Sequence, residues 1–184
     1  MGRPCWPSPV PDVFKRLVAP TERSERLFYA AIALIVLIAL ALRAIYAAGN
    51  PTLDDAFITF RYVRNLARGI GFVYNPGERV LGTTTPLFTL LLTPFAVAGA
   101  DLVTASKIVN VIASTANVLV VAVLARRVAG NWAALFSAML LAVSTNNVWA
   151  ASTGLETELN VLVLLLLLLA YLQVRQLAER APPA

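Results

Sequence analysis

Histidine is absent from this 184-residue sequence, and cysteine occurs once, at Cys5. Without an imidazole there is no histidine general base, no Ser-His-Asp triad and no His-ligated zinc. A lone cysteine excludes an intrachain disulfide and a thiolate metal cluster. Acid–base chemistry is left to carboxylates, with Lys and Tyr as distant second choices. Charge is also scarce: 14% of residues are Asp, Glu, Lys or Arg, and they cluster between uncharged runs.

Apolar side chains take the place of what is missing. They make up 59% of the chain, and mean hydropathy is +0.74. Soluble domains are about 45–50% apolar. The excess is too large for one small core, so lipid is the expected solvent. The net charge of +5 is then read as membrane topology and headgroup contact rather than nucleic-acid binding. No basic stripe interleaved with aromatics suggests a nucleic-acid site.

The expected architecture is an all-α integral membrane protein with about four spans, near 27–48, 103–124, 132–151 and 159–174, within a transmembrane region 27–175. Residues 1–26, rich in Pro and Arg, read as a disordered basic cytoplasmic tail, and 176–184 as a second cytoplasmic tail. The uncharged run Leu27–Leu42 exceeds the roughly 7–15 residues of a signal-peptide core, so it reads as a span, with Arg43 snorkelling near its far end. Residues 86–98 are apolar but short and interrupted by Pro86 and Pro94; they read as a re-entrant or interfacial helix. Four spans put the N-terminal tail, Arg126–Arg127 and Arg175–Arg180 on one side, as the positive-inside rule requires of the cytoplasm. A fifth span at 86–98 would break that pattern. The protein is thus expected in the cytoplasmic membrane, multi-pass, N-terminus in, with the loop 49–85 outside.

That loop carries most of the polar chemistry. Ala56, Phe60, Val63 and Ala67 fall at helical spacing as an apolar stripe, and Arg61, Arg64 and Arg68 as a basic one. Gly69 and Gly71 end the helix. The spacing predicts an amphipathic helix on the outer membrane surface. Asp54 and Asp55 stand at its N-terminus. Two readings are open: a helix cap favoured by the dipole, or a carboxylate base at the membrane–water boundary. The arginines likewise either meet bulk lipid phosphates or recognise one particular phosphate. Asn75-Pro76-Gly77-Glu78-Arg79 is a turn by composition. Thr83, Thr84 and Thr85 present hydroxyls before the short helix. On the same side, Gly154-Leu155-Glu156-Thr157-Glu158 starts a helix, with Thr153 or Thr157 as cap, or brings a second carboxylate to a shared site. Asn110, Ser114, Thr115 and Asn117 read as helix–helix hydrogen bonds.

Asp54-Asp55-Ala56-Phe57-Ile58-Thr59-Phe60-Arg61-Tyr62, then Asn65-Leu66-Ala67, Gly69, Gly71, Asn75-Pro76-Gly77-Glu78-Arg79-Val80 and Thr85-Pro86-Leu87, resemble the first outer loop of bacterial GT-C membrane glycosyltransferases, the protein-mannosyltransferase and arabinosyltransferase-like members among them. Ser152-Thr153-Gly154-Leu155-Glu156-Thr157 resembles their second outer loop. The resemblance runs from about Arg26 to the end. It implies inverting transfer of a sugar from a polyprenyl-phosphate carrier to an acceptor outside the cytoplasmic membrane. It implies a catalytic carboxylate at Asp54, with Asp55 as helper or, in some members, metal ligand. From the residues themselves, Arg61 and Arg64 are candidate phosphate contacts, Glu78 a further candidate substrate contact and Glu156 a candidate acceptor or metal contact, so that any divalent cation would fall to Asp54, Asp55 and Glu156. Family members are longer, so the chain is expected to be an N-terminal part, completed by a C-terminal half or a partner subunit. Membrane lipids are the other expected partners; nucleic acid is not. The rival from another class is a noncatalytic scaffold whose acids only cap helices. A transporter piece would need ionisable groups within the spans, where only Arg43 and Lys107 qualify.

Overall fold

The computed structural model describes residues 22–78 and 82–180. Most of the expected N-terminal tail, Arg79 and Val80 of the loop motif, and 181–184 lie outside the described residues. Among the described residues, six helices follow one another: α1 (Glu22–Gly49), α2 (Ala56–Ala67), α3 (Pro86–Val97), α4 (Leu102–Val143), α5 (Thr145–Ala150) and α6 (Thr157–Arg180). No strand occurs among the described residues. Three helices, α1, α4 and α6, are long and apolar enough to cross a membrane.

Helices α1 and α6 overrun the apolar stretches that define them. Residues 22–26, expected in the tail, form the first turn of α1, where Glu22 and Glu25 suit the helix dipole and Arg26 pairs with Glu22 one turn away. At the other end of the chain, Arg175 pairs with Glu179 in the same i, i+4 fashion at 2.9 Å, and α6 continues to Arg180.

At 42 residues, α4 would be about 63 Å long if straight, some twice a hydrocarbon core of about 30 Å. It is not straight. Gly130 has φ 82° and ψ −169°, a backbone region essentially restricted to glycine. Val118 and Ala122 before the break and Ala134, Ala138 and Ala142 after it join one core with Phe28, Ile32 and Ala39 of α1. Helix α4 is therefore a hairpin of two arms, 102–129 and 131–143. Four of those core positions are alanines with no exposed surface, Ala39, Ala134, Ala138 and Ala142, and such small residues let helix backbones approach closely. The closed end is locked by Arg126, which donates to Glu25 at 2.6 Å, to the Tyr29 hydroxyl at 2.7 Å and to Asn131 Oδ1 at 2.8 Å.

Arg43 does not snorkel. It is fully buried in α1, turned into the bundle, and donates to Ser114 Oγ at 2.7 Å and to the carbonyls of Ala39, Ala142 and Leu141 at 3.0–3.1 Å. Just beyond those last two carbonyls, Ser144 is extended (φ −61°, ψ 116°) and separates α4 from α5. The stretch 132–151, expected as one span, is thus interrupted at Ser144.

A second core forms at the opposite end of the bundle from Gly130. Ala56, Phe60 and Val63 of α2 pack with Phe88 and Leu92 of α3 and with Leu102 and Ala105 of α4. Three of the four residues of the apolar stripe of α2, Ala56, Phe60 and Val63, are therefore covered by protein, while Ala67 is half-buried. Helix α3, with Pro86 in its first turn, has twelve residues, well short of the ~20 needed to span.

Candidate functional site

Two loops meet at the start of α2. The Leu53 amide donates to the Thr153 carbonyl at 3.0 Å, which ties the segment before α2 to the turn before α6. Gly154 allows that approach. Its φ is +78°, and a Cβ there would lie 2.5 Å from Thr52 Cγ2 and 3.2 Å from Ala56 Cβ. Gly154→Ala combines left-handed strain with a clash and is expected to cost about 1–3 kcal/mol. A lower thermal midpoint in detergent would register that loss; an unchanged one would mean the two loops do not pack this way.

The other wall is held from α2. The Tyr62 hydroxyl accepts from the Gly82 amide at 2.7 Å. Thr83 and Thr85 hydroxyls lie 3.2 Å apart, and Thr85 stands 3.5 Å from Thr59 on α2. The Thr85 carbonyl accepts from the Thr89 hydroxyl at 3.1 Å, one turn into α3.

Between these walls lies a cleft of about 360 Å³, lined by Asp55, Ile58 and Thr59, by 82–85, and by Leu155 and Glu156. Two carboxylates from different loops and three consecutive threonines therefore share one space. Asp55 occupies the N-cap position of α2 but its side chain makes no capping hydrogen bond, and its backbone is already helical (φ −60°, ψ −28°). For Asp55, the capping role that composition suggested is not exercised. Asp54 is exposed beside the cleft without lining it.

The remaining expected site residues lie elsewhere. Arg61 donates to the Tyr74 carbonyl at 3.0 Å and to Asn75 Oδ1 at 2.9 Å, and its guanidinium sits over the Tyr74 ring. Glu78 accepts from Asn75 at 3.0 Å in the same turn. Both buttress the 72–78 loop, as does Asn65, whose amide donates to the Val73 and Tyr74 carbonyls. Arg64 follows Asp55 by two and a half helical turns, so it emerges on the far side of α2. There, with Arg68, it lines a separate cleft of about 370 Å³ beside Asp101.

Asp101 went unremarked in the sequence, although Asp-x-x-Thr is a capping pattern. It caps α4, accepting from the Thr104 amide at 2.9 Å and the Thr104 hydroxyl at 2.8 Å. Those two bonds, chiefly the amide, hold its carboxyl below the usual carboxylate range, with a smaller pull from Arg64. A depressed native pKa contributes stability that is present above the ordinary Asp value near 3.9 and disappears as pH falls through the depressed one. Asp101→Asn, which still caps, is therefore expected to flatten the acid limb of a stability–pH curve measured between about pH 5 and pH 2.

Glu158, two residues beyond Glu156, is 2% exposed and accepts from Asn117 Nδ2 at 3.0 Å. Glu156 and Glu158 thus part company, one to the cleft and one to the interior. Asn117 and Ser114 do bridge helices; Thr115 bonds back to Val111 of its own helix at 2.7 Å, and the Asn110 amide has no partner among the described residues.

No family model, curated protein or solved structure matches this chain. The site is therefore judged on its own donors. A hard divalent cation wants several oxygen ligands, and the cleft gathers two carboxylates, Asp55 and Glu156. Among the described residues no group of three or more His, Cys, Asp or Glu could hold a metal ion. That donor set does not make a dedicated cation cage, and no step below runs through a metal.

Proposed function

We propose that the chain is a membrane glycosyltransferase, or the N-terminal part of one, that moves a sugar from a polyprenyl-phosphate donor to an acceptor hydroxyl on the outer face of the cytoplasmic membrane. The observation that carries the reading is the meeting of Asp55 and Glu156 with Thr83, Thr84 and Thr85 in one cleft. Asp55 is free of capping duty, so its carboxylate is available to take the acceptor's proton. The acceptor oxygen then attacks the anomeric carbon, the carbon–oxygen bond to phosphate breaks, and polyprenyl phosphate leaves with the bonding electrons. Threonine hydroxyls suit sugar hydroxyls or phosphate oxygens, and Glu156 suits an acceptor hydroxyl. Arg61 and Arg64 are less suited to the donor phosphate than the sequence suggested, because one supports a loop and the other faces away.

The same reading takes the membrane topology as four spans: α1, the two arms of α4 (the second continued by α5), and α6. The Gly130 reversal and the packing of both arms on α1 support it, as do the basic flanks. The cleft would then lie at the outer boundary, where a lipid-linked donor and a second substrate can meet.

The test is transfer of radiolabelled sugar from polyprenyl-phosphate donors in membranes expressing the chain. Label reaching an acceptor supports the enzyme; none above empty membranes, with or without a supplied C-terminal half, favours a noncatalytic scaffold.

A further inference from the structure

A second feature of the same end of the bundle has no part in that chemistry. An apolar groove of about 460 Å³ runs between α1 and the first arm of α4, with Leu40, Ala44 and Ala48 on one side and Thr104, Ile108 and Ile112 on the other. Each wall runs over nine residues, eight helical rises or about 12 Å along the helix axis. Lys107 also lines the groove. Its ammonium donates to the carbonyls of Ala47 at 2.9 Å and Asn50 at 2.6 Å, carbonyls that the end of α1 leaves unpaired.

Closing α1 uses two of the three ammonium donors. The third donor and the full positive charge remain. Among the described residues no carboxylate lies within ion-pair distance of Lys107. Asp101, the nearest acid in sequence, is engaged with Thr104 and does not line the groove. A single cation at the end of α1, without an ion-pair partner among the described residues, beside an apolar groove that runs along the helices has the layout of a lipid: charged head at the helix end, chain along the span.

We infer that this groove holds an anionic phospholipid from the leaflet at the cleft end, its phosphodiester on Lys107 and one acyl chain between α1 and α4. The charge favours this occupant over a lipid monophosphate. A phosphodiester carries one negative charge, matching one lysine, whereas a phosphomonoester carries about −1.5 to −2 and would call for a second cation. Arg64 and Arg68, the nearby candidates, line the separate cleft.

The test uses native mass spectrometry of the whole chain, purified in detergent and titrated with phosphatidylglycerol or phosphatidylcholine of identical acyl chains. Wild type is expected to prefer phosphatidylglycerol by about fivefold, the effect of one lysine near a lipid surface. Lys107→Gln should bring that ratio near one while Lys107→Arg keeps it. Ala44→Phe, which fills the groove away from the Lys107 hydrogen bonds, should reduce binding of both lipids, and it serves as the test if Lys107→Gln fails to fold. Equal affinity of wild type for the two lipids, an unchanged preference in Lys107→Gln, or unaltered binding to Ala44→Phe would overturn the inference. So would a polyprenyl phosphate that displaces phosphatidylglycerol at tenfold lower concentration, which would assign the groove to a carrier lipid.

Discussion

Asp55→Asn is expected to cut sugar transfer by about 10²–10⁴-fold, the usual contribution of a positioned general base, and to leave the fold intact. Asn has nearly the same shape as Asp and serves equally well at a helix N-terminus. The Asp55 carboxylate makes no capping bond to lose. A drop in turnover with an unchanged thermal midpoint would therefore report chemistry rather than folding. Glu156→Gln should act on the same cleft with a smaller effect, felt mainly in KM for the acceptor if its task is to hold a hydroxyl. Asp54→Asn provides the internal comparison. Asp54 lies outside the cleft lining, so its loss should matter less than that of Asp55; the reverse ranking would return the base to Asp54, as the family resemblance implies. If both variants retained more than half the wild-type rate at saturating donor, the catalytic reading of these acids would be lost.

Much of this arrangement was legible before any coordinates. Long uncharged runs announce helices that fit lipid, because the only cheap place for such side chains is hydrocarbon. The stripe of Ala56, Phe60 and Val63 announced the buried face of α2. What the stripe faces was not legible: periodicity marks an apolar side, and here that side meets α3 and α4. The meeting of Glu156 with Asp55 was open in the sequence as one of two alternatives, and it depends on Gly154 and the Leu53–Thr153 bond, a contact between residues a hundred positions apart. The hairpin at Gly130 was partly hidden, because Arg126 and Arg127 suggested an earlier end to the span. Helix continued through them because Arg126 finds Glu25, Tyr29 and Asn131 at the bundle's end. Glu158 was hidden for another reason. Spacing alone does not separate two acids two residues apart, and the Asn117 amide that receives one of them lies on a different helix.

The second large effect is expected at Arg43. A helix leaves its last four carbonyls without amide partners, and in α4 that final turn includes Leu141 and Ala142, cut off from the residues beyond by extended Ser144. In water such carbonyls are solvated at little cost; in an apolar bundle each unsatisfied group costs several kcal/mol. Arg43 supplies the missing donors from α1, one guanidinium nitrogen to each carbonyl, while its Nε holds Ser114 on the opposing arm. One side chain thereby joins α1, both arms of α4 and the break that directs the chain into α5. Arg43→Met keeps the apolar stem and removes all four bonds. Leaving the two buried carbonyls of Leu141 and Ala142 without donors is expected to cost about 2–6 kcal/mol in total. In detergent this should appear as a large fall in the thermal midpoint by tryptophan fluorescence and loss of monodisperse protein. Arg43→Lys should rescue little, since a compact ammonium does not reproduce the planar fork of donors that reaches two carbonyls and a hydroxyl together. An Arg43→Met protein with the wild-type midpoint would mean that the guanidinium leaves the bundle for the membrane surface, and the account of the Ser144 break would fall with it.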